Sequence, residues 1–162
     1  SSAASVAYDL IPAPFGEFAP PARQGLINIG TWFWVEPTVW QPKSVTAWVP
    51  TPEGPVFVTT TATPTKLVFH PGDGFRGNGD KTCTGPGQKW TSGMGDSLPS
   101  SCMYSYRHSS AINSNGLFSA SLSIIWRVAW RSSTGASGTL PNVITSSSHQ
   151  MNIREFQALV TS

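Results

Sequence analysis

Charge is the scarcest ingredient of this chain. Only 11% of its 162 residues are Asp, Glu, Lys or Arg, against about 25% in an average soluble domain. Solubility then falls to hydroxyls and amides, and 22 Ser and 16 Thr supply the hydroxyls. The formal net charge of +2 and pI near 8.7 are too mild to imply a nucleic-acid partner. Long apolar runs are missing too. None reaches the ~18 residues that cross a membrane as a helix, so no direct membrane insertion is expected of this segment. No window joins a helical apolar period to good helix formers, so almost no helix is expected.

The usual signatures of catalysis are equally thin. There is no Gly-x-Ser-x-Gly elbow, and Gly135-Ala-Ser-Gly138 lacks its spacing. His70, His108 and His149 do not form the His-Glu-x-x-His pair of a zinc enzyme. The acids, typified by Glu36, Glu53, Asp73 and Glu155, are scattered, whereas a glycosidase needs two facing carboxylates. The Gly-rich run Gly74–Thr82 lacks the Gly-Lys-Ser/Thr of a phosphate loop, because Asp80 intervenes and would repel a phosphate. No enzyme and no cofactor are expected, with a hydrolase as the lesser alternative.

What the chain does have is strict alternation. Phe118, Ala120, Leu122, Ile124, Trp126, Val128 and Trp130 are apolar, and the residues between them are mostly polar. A period of two over that length predicts a strand with one buried face. It would run about 40 Å, long enough that a bend or bulge is expected. Leu26–Val35 is a further strand candidate, with Ile27, Ile29, Phe33 and Val35 on one face and Trp32 and Trp34 on the other. Lys43–Val49 and Pro55–Thr63 read as a hairpin turned by the Pro-rich segment between them, and a short strand Thr65–Phe69 follows. Met103–His108 alternates as well. Val143–Thr161 returns as partner of the long strand, and its apolar residues share a face only if a bulge sits near Arg154–Glu155. About seven strands make an all-β sandwich.

Residues 1–24, with Pro12, Pro14, Pro20 and Pro21, read as an extended arm or linker, and 25–162 as the β-domain. The start Ser-Ser-Ala-Ala-Ser, without Met or a leader pattern, reads as a mature or excised fragment. Residues 70–102 hold eight of the 15 glycines and form the least regular lobe. Cys83 and Cys102 close a loop of 19 residues within it (102 − 83 = 19). The low-charge, Ser/Thr-rich composition favours a disulfide over two reactive thiols.

Leu67-Val-Phe-His-Pro-Gly-Asp-Gly74, with Tyr104-Ser-Tyr-Arg-His108 downstream and a long alternating strand after it, resembles a PKD domain. Phe69 stands where that family has Trp, Gly72, Asp73 and Gly74 match its Gly-Asp-Gly, and Tyr106 matches its tyrosine. His70 and Pro71 depart from the pattern, and the stretch from Gly74 to Tyr104 is longer and carries the cysteines. The likeness covers residues 43–130 and extends to secreted or membrane-anchored proteins of high-GC Gram-positive bacteria that carry such a module. It implies an immunoglobulin-like sandwich acting as a non-enzymatic interaction or spacer domain at the cell surface. Its partner would be a protein or polysaccharide of the envelope.

Two residue sets compete as sites. Trp32, Trp34, Trp40 and Trp48 are less easily all buried than Trp126 and Trp130. An exposed row of them would stack on sugars, as in a carbohydrate-binding module, or anchor a protein. Asp73, Asn78, Asp80 and Asp96 are weak calcium candidates, but the chain has no twelve-residue calcium loop, and a Gly-Asp-Gly turn is the preferred account. Arg107, Arg127, Arg131 and Arg154 lie on or near polar strand faces. An anionic polymer could use them, although solvated charges that discourage edge pairing are the simpler account.

Overall fold

The alternating stretch is the spine of the molecule. The computed structural model describes residues 11, 14, 16–74, 79–91 and 100–155, and in it β8 (Phe118–Ser132) is a single strand of 15 residues. Phe118 through Val128 on its even side are all buried, as the alternation requires. β8 lies between β5 (Gly54–His70) and β9 (Ser137–Met151), and β4 (Lys43–Thr51) flanks β5. Short β6 (Lys81–Cys83) pairs with β5 beyond the end of β4. All these pairings are antiparallel.

Both long pairings contain a bulge. Between β5 and β8 the register slips from Pro64↔Trp126 to Lys66↔Ile125, leaving Thr65 as the extra residue. The Pro64 nitrogen has no proton to donate, so a break in the ladder costs least there. The Thr65 hydroxyl restores a link by donating to the Ile125 carbonyl at 2.9 Å. Between β8 and β9 the register passes from Trp126↔Val143 to Val128↔Leu140, so the extra residue falls at Pro141–Asn142, again beside a proline. The hairpin strand and the short strand expected separately at Thr65–Phe69 are therefore one bulged β5. No bulge occurs at Arg154–Glu155. Instead β9 stops at Met151, and β10 (Ile153–Arg154) pairs in parallel with β2 (Gly25–Leu26). Met151 and Ile153 are both buried; Phe156, Ala158 and Val160 lie outside the described residues.

A smaller sheet, β1–β3–β7, covers part of the large one. β3 (Gly30–Val35) runs between β1 (Gly16–Ala19) and β7 (Met103–Ser105). Residues 16–19, which composition assigns to an arm, are thus a sheet strand, and Ala22–Gln24 form a single 3-10 turn. The register puts Phe18 opposite Phe33, and both rings face Phe69 of β5, with centroids 5.7 and 4.9 Å away. The predicted strand Leu26–Val35 is broken at Ile27–Ile29 because Asn28 takes a positive φ of 62°. In place of about seven strands, ten short and long ones occur among the described residues, with two 3-10 turns as the helical content. The fold is all-β. No helix among them is long and apolar enough to cross a membrane.

Cys83 and Cys102 are bridged and buried. The bridge joins β6, on the large sheet, to the residue before β7, whose carbonyl accepts from the Phe33 N–H at 3.2 Å. It therefore fastens one sheet to the other. Such a disulfide points to an oxidising, non-cytoplasmic setting.

Candidate ligand-binding surfaces

Pairing fixes which face each tryptophan takes. Trp32 lies opposite Ala19, and Trp34 opposite Glu17, on the side of the small sheet that faces away from Phe69. The Glu17 carboxylate accepts from Trp34 Nε1 at 2.5 Å, which fixes the plane of that indole. Residues 85–87 close the far edge of β3: the Val35 N–H donates to the Pro86 carbonyl at 2.8 Å. Gly87 lies so close that a Cβ there would sit 2.4 Å from the Phe33 carbonyl oxygen. That approach brings Trp90 over the sheet.

The result is an open groove of about 400 Å³ lined by Trp32, Trp34, Trp90, Phe18, Ile29 and the Ala19–Pro21 segment, with Gly30. No lining side chain among the described residues is charged or nucleophilic. Trp32 and Trp34 retain only 3% and 6% of their surface, so they form its floor. A cavity of this size and character accommodates an apolar ligand portion.

The four tryptophans do not make one row. Trp40 is half-buried against the core beside Val39. Trp48 stands on the opposite surface of the large sheet, paired across β4 and β5 with Phe57. It is 62% exposed and Phe57 49%. Trp126, as expected, is fully buried, with its Nε1 donating to Thr145 Oγ1 at 2.9 Å.

Trp48 and Phe57 belong to a broad outer face that no second layer covers among the described residues. Odd-numbered β8 residues and their partners form it, and its hydroxyls pair across strands. Ser44 bonds Thr61 at 2.8 Å, Thr46 bonds Thr59 at 2.8 Å, and Ser123 bonds Ser146 at 2.7 Å. Sequence reasoning singled out Trp48 but missed Phe57. The alternation of Val56 and Val58 across it marked Phe57 as outward-facing.

The Gly-Asp-Gly segment forms a polar lock. Tyr104 donates its hydroxyl to Asp73, and Tyr106 donates to the Pro71 carbonyl at 2.9 Å. Burial, followed by the nearby Asp73 carboxylate, raises both phenol pKa values, so both stay protonated donors. Gly72 has a φ of 73° and its Cα lies against the Ser119 carbonyl. Of the calcium candidates, Asp73 is engaged by Tyr104 and Asp80 by His70 at 2.6 Å. Asn78 and Asp96 lie outside the described residues. Among those described, no three His, Cys, Asp or Glu side chains gather to hold an ion.

The chain matches no protein-family model, no curated protein and no solved structure.

Proposed function

We propose that this chain is an extracellular, non-enzymatic interaction module of immunoglobulin-like, PKD-like type, which holds a protein partner of a cell-surface assembly in the Trp32–Trp34–Trp90 groove. The groove carries the reading: three indoles and two prolines line a cleft whose described lining residues include no acid, base or nucleophile. Chemistry needs at least one such group, whereas an extended apolar or Pro-rich segment needs only the aromatic walls. The disulfide suits an extracellular setting. The PKD-like residues Phe69, Asp73, Tyr104 and Tyr106 also gather in one cluster. The test is affinity capture from an envelope fraction with the wild type and with Trp90→Ala. A partner held by the first and lost by the second is expected. Equal recovery by both would remove the groove from the account, and no recovered protein would remove the interaction reading.

A carbohydrate partner is favoured by a different observation. Trp48 is the one of the four candidate tryptophans whose ring is largely open to solvent, on a face rich in hydroxyls.

A further inference from the structure

The outer face of the large sheet carries cations that have no ion-pair partner among the described residues. The register places Lys66, Arg127 and Arg131 on it: Arg127 opposite Thr63, Arg131 opposite Thr59, and Lys66 opposite Ile125. All three are exposed. Among the described residues none makes an ion pair, the pair found there being His70 with Asp80 at the β6 corner. No acidic residue falls at any position that the register assigns to this face. Glu53 lies in the β4–β5 turn, beyond the last paired residues Thr51 and Gly54. In a chain with 8 acids to 10 basic residues, this face is one-sided among the described residues: it collects three unpaired cations, while Asp80 at its β6 corner is already held by His70.

The cations also lie in line. Lys66 and Arg127 are diagonal neighbours, roughly 7–8 Å apart. Arg131 follows about 13 Å further along β8, at ~3.3 Å per residue. The same line ends at the Trp48–Phe57 pair, beside Ser133, whose hydroxyl accepts from the Phe57 N–H at 3.0 Å. Between the cations on this face lie Thr61 and Ala129, with Thr63 and Thr59 opposite the arginines and the pair Ile125 and exposed Ile144 in the row of Lys66; the Thr hydroxyls present both donors and acceptors. The sheet therefore offers an extended track: charge at intervals, hydroxyls between, and an aromatic platform at the end.

We infer that this face binds an acidic polysaccharide, a chain of sugars bearing carboxylates, with Arg127 and Arg131 on the carboxylates and Trp48 stacked on a sugar ring. The inference rests on the carbohydrate reading of Trp48 and adds the ligand's charge. Guanidinium groups match carboxylates in a two-pronged geometry, and an indole face suits the apolar side of a pyranose. An uncharged polymer would leave the cations unused.

Polygalacturonate and its fully methyl-esterified form share a backbone and differ in charge, so they are the probes. Binding to the full chain is followed by affinity electrophoresis and by tryptophan fluorescence. The acid form should bind at least ten-fold more tightly than the ester, and weaken as salt rises. Arg127→Gln with Arg131→Gln should cost ten-fold or more with an unchanged circular dichroism spectrum, and Trp48→Ala should cost a similar factor. Arg23→Gln, an exposed cation on the Ala22–Gln24 turn, should leave binding unchanged. Equal affinity for acid and ester, or indifference to the double arginine change, overturns the acidic ligand while a Trp48-dependent signal keeps the carbohydrate reading. Binding of neither polymer overturns both.

Discussion

Opening the Cys83–Cys102 bridge should lower stability by about 3 kcal/mol. The figure comes from the 19-residue separation, through the entropy that a closed loop removes from the unfolded chain. For a domain of this size each kcal/mol moves the melting temperature by about 2–4 °C, so a fall of about 6–12 °C is expected. Both sulfurs are buried, and the bridge joins β6 to the residue leading into β7. Reduction removes no heavy atom and so comes nearest to isolating the cross-link, whereas replacing both cysteines with alanine also empties their volume. Calorimetry on oxidised protein, on reduced protein held in excess dithiol, and on the Cys83→Ala/Cys102→Ala variant separates the two contributions. The reduced protein should melt about 6–12 °C lower and the alanine pair a little lower still. Amide exchange should quicken at Phe33 and in β7 first, because the Cys102 carbonyl accepts the Phe33 N–H. A reduced protein melting within 2 °C of the oxidised one would refute the argument that this loop's entropy is worth that much to the fold.

Gly72→Ala should destabilise by about 3 kcal/mol, the sum of a positive φ for a side-chain-bearing residue and overpacking, because its Cβ would sit 1.9 Å from the Ser119 carbonyl oxygen. Gly74→Ala has a similar φ of 72° but open space around it, so it should cost only ~1–2 kcal/mol; equal losses in chemical denaturation would discredit the close approach. Burial of His149 beside Phe18 lowers its pKa below 6.5, so on acidification the unfolded chain takes up that proton before the folded one does. The stability linked to His149 is full above the unfolded pKa and is lost as the pH falls through the folded one. Thermal melts between pH 7.5 and 5 should therefore decline more steeply for the wild type than for His149→Gln, and parallel curves would remove His149 as the cause.

The large sheet was legible in the sequence because its signal is local. Alternation from Phe118 to Trp130 needs one face buried, and β8 buries it from Phe118 to Val128, whereas Trp130, expected inside, is only partly covered near the hairpin tip. The hairpin Lys43–Val49 with Pro55–Thr63 was likewise readable from its turn. What escaped was long-range. Nothing local in Gly16–Ala19 shows that Phe18 will lie across Phe69, because that pairing depends on β3 arriving beside it. The break at Ile27–Ile29 came from Asn28, one of the few residue types that tolerates positive φ, inside a run whose composition favoured an unbroken strand. Two of the prolines within strands, Pro64 and Pro141, lie at bulges, yet the sequence could not say how the register would resume after them. The groove was missed for a related reason. Trp32 and Trp34 were visible as outward-facing, but Trp90 reaches them through residues 85–87, whose course is set by a backbone bond to Val35 and not by any pattern.

The small sheet packs on only one face of the large sheet, through Phe18 and Phe33 on Phe69, and the outer face on the other side has no second layer among the described residues. β5 has 17 residues and β8 and β9 have 15 each, whereas β1, β3 and β7 have four, six and three. On a face that no described layer covers, the strands are held by their own cross-strand pairs, each worth about 0.2–1 kcal/mol. Here those pairs are hydroxyl to hydroxyl, Ser44 with Thr61, Thr46 with Thr59 and Ser123 with Ser146. Opposite charges could have held the strands equally well, but they would have used up the cations. Because neutral ladders bind the strands together, Lys66, Arg127 and Arg131 make no ion pair among the described residues. The free edges are guarded by other means, with Pro50 on β4 and the Pro141 bulge on β9. Pairing between chains along an edge is thereby discouraged, while the broad face between the two edges stays open to a ligand.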